Sequence, residues 1–272
     1  MDQTAPQPQL DLPTVAAMAA VVFLGSTLLH EAGGHGGACV ALGGRVDALG
    51  AFYLDCADDD FAVWSGRALA AAGSTMNLLA ALAAWVILRG AKAEPWRLFW
   101  WLVFVINGLV WAGYFLFSGV FGIGDWGEGG VLNHVTNSSP WRIALAVFGA
   151  LTYLFVAHEA ARQMGMLLGG TIARRKVARA IAWTAYFTGG IVSVLIGLMN
   201  PVGIFIVIAS AAASSLGGTS GLLWLTYLIP RSEIEGTLRV PRSWRWMVVA
   251  LATTAAYAWL LGPSLVFTHS AG

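Results

Sequence analysis

The sequence predicts an all-α polytopic membrane protein with about seven transmembrane helices. Of its 272 residues, 58% are hydrophobic and only 11% are charged, whereas a soluble domain carries about 25% charged residues. Long apolar runs recur along the chain, and each is expected to be a helix because a helix satisfies its own backbone hydrogen bonds in lipid. The formal net charge of +1 gives no reason to expect a nucleic-acid partner.

The chain divides into three parts by composition and by the order of its apolar runs. Residues 1–13 form a polar N-terminal tail without the basic stretch of a cleaved signal peptide, so the first apolar run is expected to remain as a helix. Residues 14–130 contain the first three predicted helices, and residues 131–272 contain the other four. The predicted helices span about residues 14–42, 66–88, 96–118, 141–168, 177–199, 202–228 and 244–267.

Two imidazoles and a carboxylate, His30, Glu31 and His35, lie at the far end of the first apolar run. Ionisable groups at membrane depth are costly and therefore indicate function. A His-Glu pair followed by a second His is similar to the zinc helix H-E-x-x-H, in which the histidines bind metal and the Glu is a general base. The two histidines here are five residues apart, which on a regular helix turns them about 140° apart instead of about 40°. A π-bulge at Gly33 and Gly34 would absorb the extra residue, and such bulges favour functional sites.

Asp125 is expected at the same membrane face as this motif. It lies in a glycine-rich stretch, residues 119–130, that follows the third predicted helix. The first and third helices are separated by one antiparallel helix, so they run parallel and end at one face. Asp125 would then be the third protein ligand to a zinc ion held by His30 and His35, with a fourth position left for water.

The loop after the first helix, residues 43–65, predicts a small hairpin or re-entrant segment followed by a solvated turn. Its acidic residues are interpreted as a solvated loop, with a cation site as the less common alternative; they are Asp55, Asp58, Asp59 and Asp60. Cys39 and Cys56 are expected to be free thiols, because nothing else suggests a disulfide scaffold. The alternative is one disulfide, if this loop faces an oxidising side.

Several other polar residues interrupt the apolar runs. Asn77 and Asn107 lie in the second and third predicted helices, where their amides must find partners. His158 and Glu159 lie in the fourth, and a local ion pair or interhelical hydrogen bond is the preferred interpretation because no second His follows. His134, in the loop before that helix, is interpreted as a surface residue.

At three places the first half of the chain resembles the site-2 protease family of intramembrane zinc metalloproteases. The first is the His30-Glu31 motif; the second, Gly73 to Asn77, is similar to the family's Gly-Pro-x-x-Asn patch, with Ser74 in place of Pro. The third, Gly124-Asp125-Trp126-Gly127, is similar to the family's Asp-Gly, with Trp126 inserted.

This resemblance implies a three-helix catalytic core over residues 14–130, with additional helices in residues 131–272. It implies a Zn²⁺ cofactor held by His30, His35 and Asp125, and Glu31 as the general base. Asn77 and Asn107 would hydrogen-bond the backbone of a transmembrane protein substrate that has locally unwound. The expected location is the bacterial inner membrane, the expected surroundings are the lipid bilayer, and a regulatory membrane partner is a further expectation.

Orientation and function each leave alternatives open. Lys and Arg favour the connections after the second, fourth and sixth helices, which places the motif outside the cytosol. The family generally has its active site towards the cytosol, and that orientation is the working expectation. The alternative functions are a catalytically inactive homologue that acts as a membrane-protein binding module and a broken-helix transporter. The transporter alternative rests on Asn200-Pro201, on His158/Glu159 and on the glycine-rich centre of the sixth predicted helix.

Overall fold

The structure, a computed structural model, describes residues 10–58, 60–92, 94–169, 171–231, 236 and 238–267. Residues 1–9 of the predicted polar tail lie outside these residues. Within them, five helices are long and apolar enough to cross a membrane. They are α1 (Leu12–Ala41), α2 (Val63–Gly90), α3 (Glu94–Phe121), α4 (Ser139–Leu168) and α5 (Ile172–Gly197). A further helix, α6 (Trp244–Leu261), has 18 residues.

These helices confirm a predominantly helical fold and are compatible with a multi-pass membrane protein, while the predicted total of seven spans is not confirmed. Large apolar side chains on the outer faces of the helices remain exposed, as expected for a surface that contacts lipid. On α4 they include Ile143, Leu151 and Phe155, which are 66%, 64% and 70% exposed. Such a surface in water would be an extensive apolar patch.

Helix α1 begins at a capped N-terminus and is the central element of the bundle. The Asp11 carboxylate accepts hydrogen bonds from the Thr14 backbone N–H (3.0 Å) and the Thr14 hydroxyl (2.7 Å), which satisfies a backbone donor left free at the helix start. Its α-helical part, Leu12–Leu28, is followed by a π-helical part, Leu29–Gly36, and a last α-helical turn, Gly37–Ala41. It packs against α3, α5 and α6, and its π-helical part packs against α2.

The predicted sixth helix is wrong as a continuous element. Residues 204–228, here called the interrupted segment, comprise a short helix Ile204–Ile206, a π-helix Val207–Gly217 and two 3₁₀ turns, Ser220–Leu223 and Leu225–Leu228. At the break, the Tyr153 hydroxyl donates to the Gly218 carbonyl (2.8 Å) and accepts from the Gly221 N–H (2.7 Å). Tertiary contacts therefore satisfy the backbone groups that a regular helix would have paired internally.

A small sheet at one end of the bundle corrects the all-α prediction. Strands β1 (Arg45–Leu49) and β2 (Leu54–Ala57) form an antiparallel hairpin, which confirms the hairpin predicted in this loop. A third strand, β3 (Leu265–Val266), follows α6 and pairs with β1, giving the order β2-β1-β3. A two-residue strand is too short to show an alternating pattern, so β3 was not predicted.

The expectation of free thiols is also wrong, because Cys39 and Cys56 form a disulfide with a Cα–Cα separation of 6.1 Å. The hairpin folds back over the last turn of α1, which brings β2 against the helix that carries Cys39. Asp55, Asp58 and Asp60 are exposed, in agreement with a solvated acidic loop. Asp59 lies outside the described residues.

Candidate metal centre

The π-helical part of α1 brings His30 and His35 together despite their five-residue spacing. Their Nε2 atoms are 3.2 Å apart, and the two rings meet edge to face with centroids separated by 4.8 Å. The predicted π-bulge is thus present, and it takes the form of an eight-residue π-helix rather than a single inserted residue. Gly34 lets this part of α1 lie directly against α2, because a Cβ there would lie only 2.5 Å from the Gly73 Cα.

Asp125 joins the two imidazoles from the loop that follows α3. Its Oδ2 atom lies 3.2 Å from His30 Nε2 and 3.6 Å from His35 Nε2. The loop turns sharply at Gly122 and Gly124, whose φ angles of +76° and +83° favour glycine. The prediction that the parallel helices α1 and α3 deliver these groups to one face is confirmed.

Hydrogen bonds to the other ring nitrogens fix which tautomer each histidine adopts. His35 Nδ1 lies 2.9 Å from the Leu69 carbonyl, which can only accept, so this nitrogen carries the proton. His30 Nδ1 lies 2.7 Å from Asn77 Oδ1, an acceptor because the amide nitrogen of Asn77 donates to Asn107 Oδ1 at 2.9 Å. In its neutral form, each ring therefore directs an Nε2 lone pair towards Asp125, the arrangement that metal-binding histidines require.

The three ligand atoms fit a tetrahedral zinc site. Zinc bonds of about 2.0–2.1 Å place neighbouring ligands of a tetrahedron about 3.3 Å apart, and the three distances here are 3.2, 3.2 and 3.6 Å. The buried Asp125 Oδ2 atom has no hydrogen-bond partner among the described residues, and a buried carboxylate oxygen without one calls for a cation or another donor. His30, His35 and Asp125 are thus a group that could hold a metal ion.

Gly73 keeps the space beside the histidines open. A Cβ at this position would collide with His35 Nε2 and would lie 2.5 Å from His30 Nε2. Only glycine lets the backbone of α2 approach the two ligand atoms this closely. The family-like patch Gly73 to Asn77 therefore contributes both this space and the partner of His30.

The charge of Asp125 suits a metal ligand. Burial opposes its ionisation, but the imidazoles of His30 and His35, when protonated, outweigh that cost and hold the pKa of Asp125 well below its usual value. A positive charge beside Asp125 therefore favours its ionised form. Its negative charge favours a positive charge held between the three side chains.

Trp126 and Ser74 contact each other. The Trp126 indole N–H donates to the Ser74 hydroxyl at 2.8 Å, and the Trp126 ring packs on Phe115 with centroids 4.4 Å apart. This contact connects the loop that carries Asp125 to the helix that carries Gly73 and Asn77. Ser74 is fully buried, so the hydrogen bond is shielded from water.

Asn77 and Asn107 belong to a buried polar network that joins α1, α2 and α3. Both side chains are essentially inaccessible, at 0% and 1% exposure. Asn107 Oδ1 accepts from the Ser26 hydroxyl and from the Asn77 amide, each at 2.9 Å, and Asn77 in turn orients His30. In the structure, both side-chain amides form hydrogen bonds with other groups of the protein. Their contact with a substrate backbone stays a prediction.

Glu31 and the metal-ligating group line one large cavity of about 930 Å³. Glu31 is 7% exposed, and no described residue forms a hydrogen bond with its carboxylate. Tyr114 lines the same cavity and stacks on His30, with centroids 4.6 Å apart and planes at 17°. The sequence analysis missed Tyr114, although it lies seven residues after Asn107 and thus on the same face of α3.

The other two histidines among the described residues do not join this site. His134 and His158 are both exposed. Glu159 pairs with Arg162 at 2.7 Å and accepts from the Trp85 indole N–H at 2.9 Å, which confirms the predicted ion pair and interhelical hydrogen bond.

Comparisons with protein-family models, with curated proteins and with solved structures found no match to this chain.

Proposed function

We propose that this chain is an intramembrane zinc metallopeptidase that hydrolyses peptide bonds of transmembrane protein substrates. The observation that supports it most strongly is the set of three ligand atoms, two of them Nε2 lone pairs, at the separations of a tetrahedral zinc site. Three protein ligands with a fourth position left open are typical of catalytic rather than structural zinc.

His30, His35 and Asp125 would hold the ion, which when bound supplies a Lewis acid that activates water and polarises a carbonyl. Glu31 follows His30 directly in α1 and lines the same cavity. Its role is to take the proton from the attacking water and to deliver it to the leaving amine. Its lack of a fixed partner among the described residues leaves the carboxylate free for that transfer.

The lining of the cavity favours a peptide in extended form. A substrate helix that unwinds in the membrane exposes N–H and C=O groups, each of which must find a partner. The interrupted segment contributes Ser210, Ser214 and Ser220 to the cavity, and α3 contributes Tyr114. These hydroxyl groups can donate to and accept from an unwound backbone.

The interrupted segment also supports the second candidate, a broken-helix transporter. The residues expected to form the pathway do not favour it, because His158 is exposed on α4 and Glu159 is paired with Arg162. The inactive homologue shares the fold and the metal group, and it differs from the protease only in the absence of hydrolysis.

Glu31→Gln tests the proposed chemistry. We expect the variant to keep its zinc but to lose cleavage, because glutamine preserves the shape of the side chain and cannot accept the proton. The readout is new N-termini within membrane-spanning segments, mapped by mass spectrometry in bacterial membranes that contain the wild-type chain or the variant.

Glu128→Gln is the matched control, since Glu128 is an exposed loop residue that pairs with Arg142. Cleavage in the wild type and in this control, with none in Glu31→Gln, supports the protease. Cleavage by Glu31→Gln at the wild-type rate would exclude Glu31 from the reaction. Zinc-loaded wild-type protein without any cleavage would favour the inactive homologue.

A further inference from the structure

The structure allows the membrane orientation of the metal centre to be inferred from two independent features. We propose that the site opens towards the oxidising, non-cytosolic side of the membrane, where the Cys39–Cys56 disulfide fixes the hairpin wall of its cavity. This inference does not depend on the proposed hydrolysis, because it concerns only where the site lies.

The bundle has two chemically different ends. At the site end lie the last turn of α1, the hairpin, the loop after α3 and strand β3; the Phe267 N–H donates to the Asp47 carbonyl there at 2.9 Å. The opposite end is defined by contacts between the start of α1, the α2–α3 connection, the end of α4 and the segment before α6. Examples are Asp11 N–H to the Val240 carbonyl (2.8 Å) and Arg239 N–H to Glu94 Oε2 (3.0 Å).

Positive charge is concentrated at the opposite end. Of the 15 Lys and Arg residues, only Arg45, Arg67 and Arg142 lie at the site end, in β1 and at the starts of α2 and α4. The remainder lie at the opposite end, at the ends of α2 and α4, at the starts of α3, α5 and α6, and around residues 231–242. Short connections rich in Lys and Arg stay in the cytosol, so the site end faces away from it.

The disulfide gives the same orientation by different chemistry. Cys39 lies in the last turn of α1 and Cys56 in β2, both at the site end. Disulfides persist in oxidising compartments such as the bacterial periplasm and are rare where the cytosolic thiol pool keeps cysteines reduced. A disulfide at the cytosolic face would be reduced, whereas one at the outer face is maintained.

The disulfide is part of the cavity wall. Residues 52–56 of the hairpin line the cavity together with His35, Asp125 and Tyr114. The disulfide anchors that wall to α1, the helix that carries both histidines. Combined with the proposed function, this orientation gives the site access to peptide bonds in the non-cytosolic half of a substrate helix, in contrast to the cytosolic orientation expected from the family resemblance.

Amine labelling tests the orientation, because the native chain has lysines only at 92 and 176, both exposed and both at the opposite end. Sealed right-side-out bacterial vesicles that contain the full chain are treated with a membrane-impermeant amine-reactive ester. We expect no modification of Lys92 or Lys176 until the vesicles are permeabilised. Asp60→Lys, which adds an exposed amine at the site end, should be modified in sealed vesicles.

Asp60→Arg is the matched control, since it adds the same charge without a reactive amine. Modification of Lys92 or Lys176 in sealed vesicles, with protection of Asp60→Lys, would overturn the orientation. The thiol state is measured separately on the native chain by acid quenching and maleimide-polymer modification. We expect no modified cysteine before reduction and two after it, and two free thiols before reduction would overturn the role of the disulfide.

Discussion

At the scale of single residues, the proposed metal centre depends on groups that would not themselves touch the ion. Asn77 and the Leu69 carbonyl hold the Nδ1 protons of His30 and His35, and so release both Nε2 lone pairs towards Asp125. Asn77 is itself held by Ser26 and Asn107. The sequence identified the three ligands and the asparagines, but a carbonyl partner such as Leu69 leaves no trace in a sequence.

Asn77→Ala should weaken zinc binding by about 10- to 100-fold, the typical cost of removing a partner of a metal-binding histidine. The variant leaves His30 Nδ1 without its acceptor, so the ring is no longer fixed in one tautomer and orientation. The dissociation constant is measured by competition with a chromophoric chelator in detergent. Asn133→Ala, a change at an exposed loop asparagine, should leave the constant unchanged; equal constants for all three proteins would refute the positioning role.

Trp126→Phe and Ser74→Ala should each weaken zinc binding, because each removes the hydrogen bond between the Asp125 loop and α2. A net hydrogen bond contributes about 0.5–1.5 kcal/mol, and an unpaired buried partner costs about 1–3 kcal/mol. The double variant should therefore lose less than the sum of the two single losses. Thr75→Ala is the control, since Thr75 donates only to the Ala71 carbonyl of its own helix, and strictly additive losses would contradict the coupling.

At the scale of elements, the π-helical part of α1 is what makes a five-residue spacing compatible with one metal. The five-residue spacing and the two adjacent glycines were sufficient to predict the bulge. The spacing does not match the regular period of 3.6 residues, and the glycines permit the local distortion that corrects it. The break in residues 204–228 was not predictable in the same way. The backbone groups at the break form hydrogen bonds with Tyr153. This residue belongs to another helix, and no local sequence pattern connects it to the break.

Gly34→Ala should destabilise the protein and lower its zinc content, because its Cβ would lie 2.5 Å from the Gly73 Cα and 2.7 Å from the Ala72 carbonyl oxygen. Both are backbone atoms, so α1 and α2 must separate, at a cost of about 1–3 kcal/mol. Thermal unfolding in detergent and metal analysis provide the readouts. A Cβ at Gly33 would contact only atoms of flexible side chains, at 3.6 Å or more, so Gly33→Ala should behave as wild type. Equal effects of the two changes would argue against close packing at Gly34.

At the scale of the whole molecule, composition predicted the membrane environment and the parallel course of α1 and α3 predicted the meeting of Asp125 with the histidines. The third strand was missed, and the disulfide was the less favoured alternative, for one physical reason. Both depend on contacts between distant parts of the chain, between β1 and β3 and between α1 and β2, and such tertiary contacts leave little local signal. The second half of the chain, without a motif of its own, completes the cavity through the interrupted segment.

The central claim, that His30, His35 and Asp125 form a zinc centre, is tested most directly by metal analysis of the purified, detergent-solubilised chain. We predict about one zinc per chain in the wild type, in Glu31→Gln and in the control His158→Ala, and its loss in His30→Ala, His35→Ala and Asp125→Ala. Circular dichroism establishes that the variants remain folded. A wild-type chain that binds no zinc even when zinc is supplied, or folded ligand variants that keep it, would contradict the assignment.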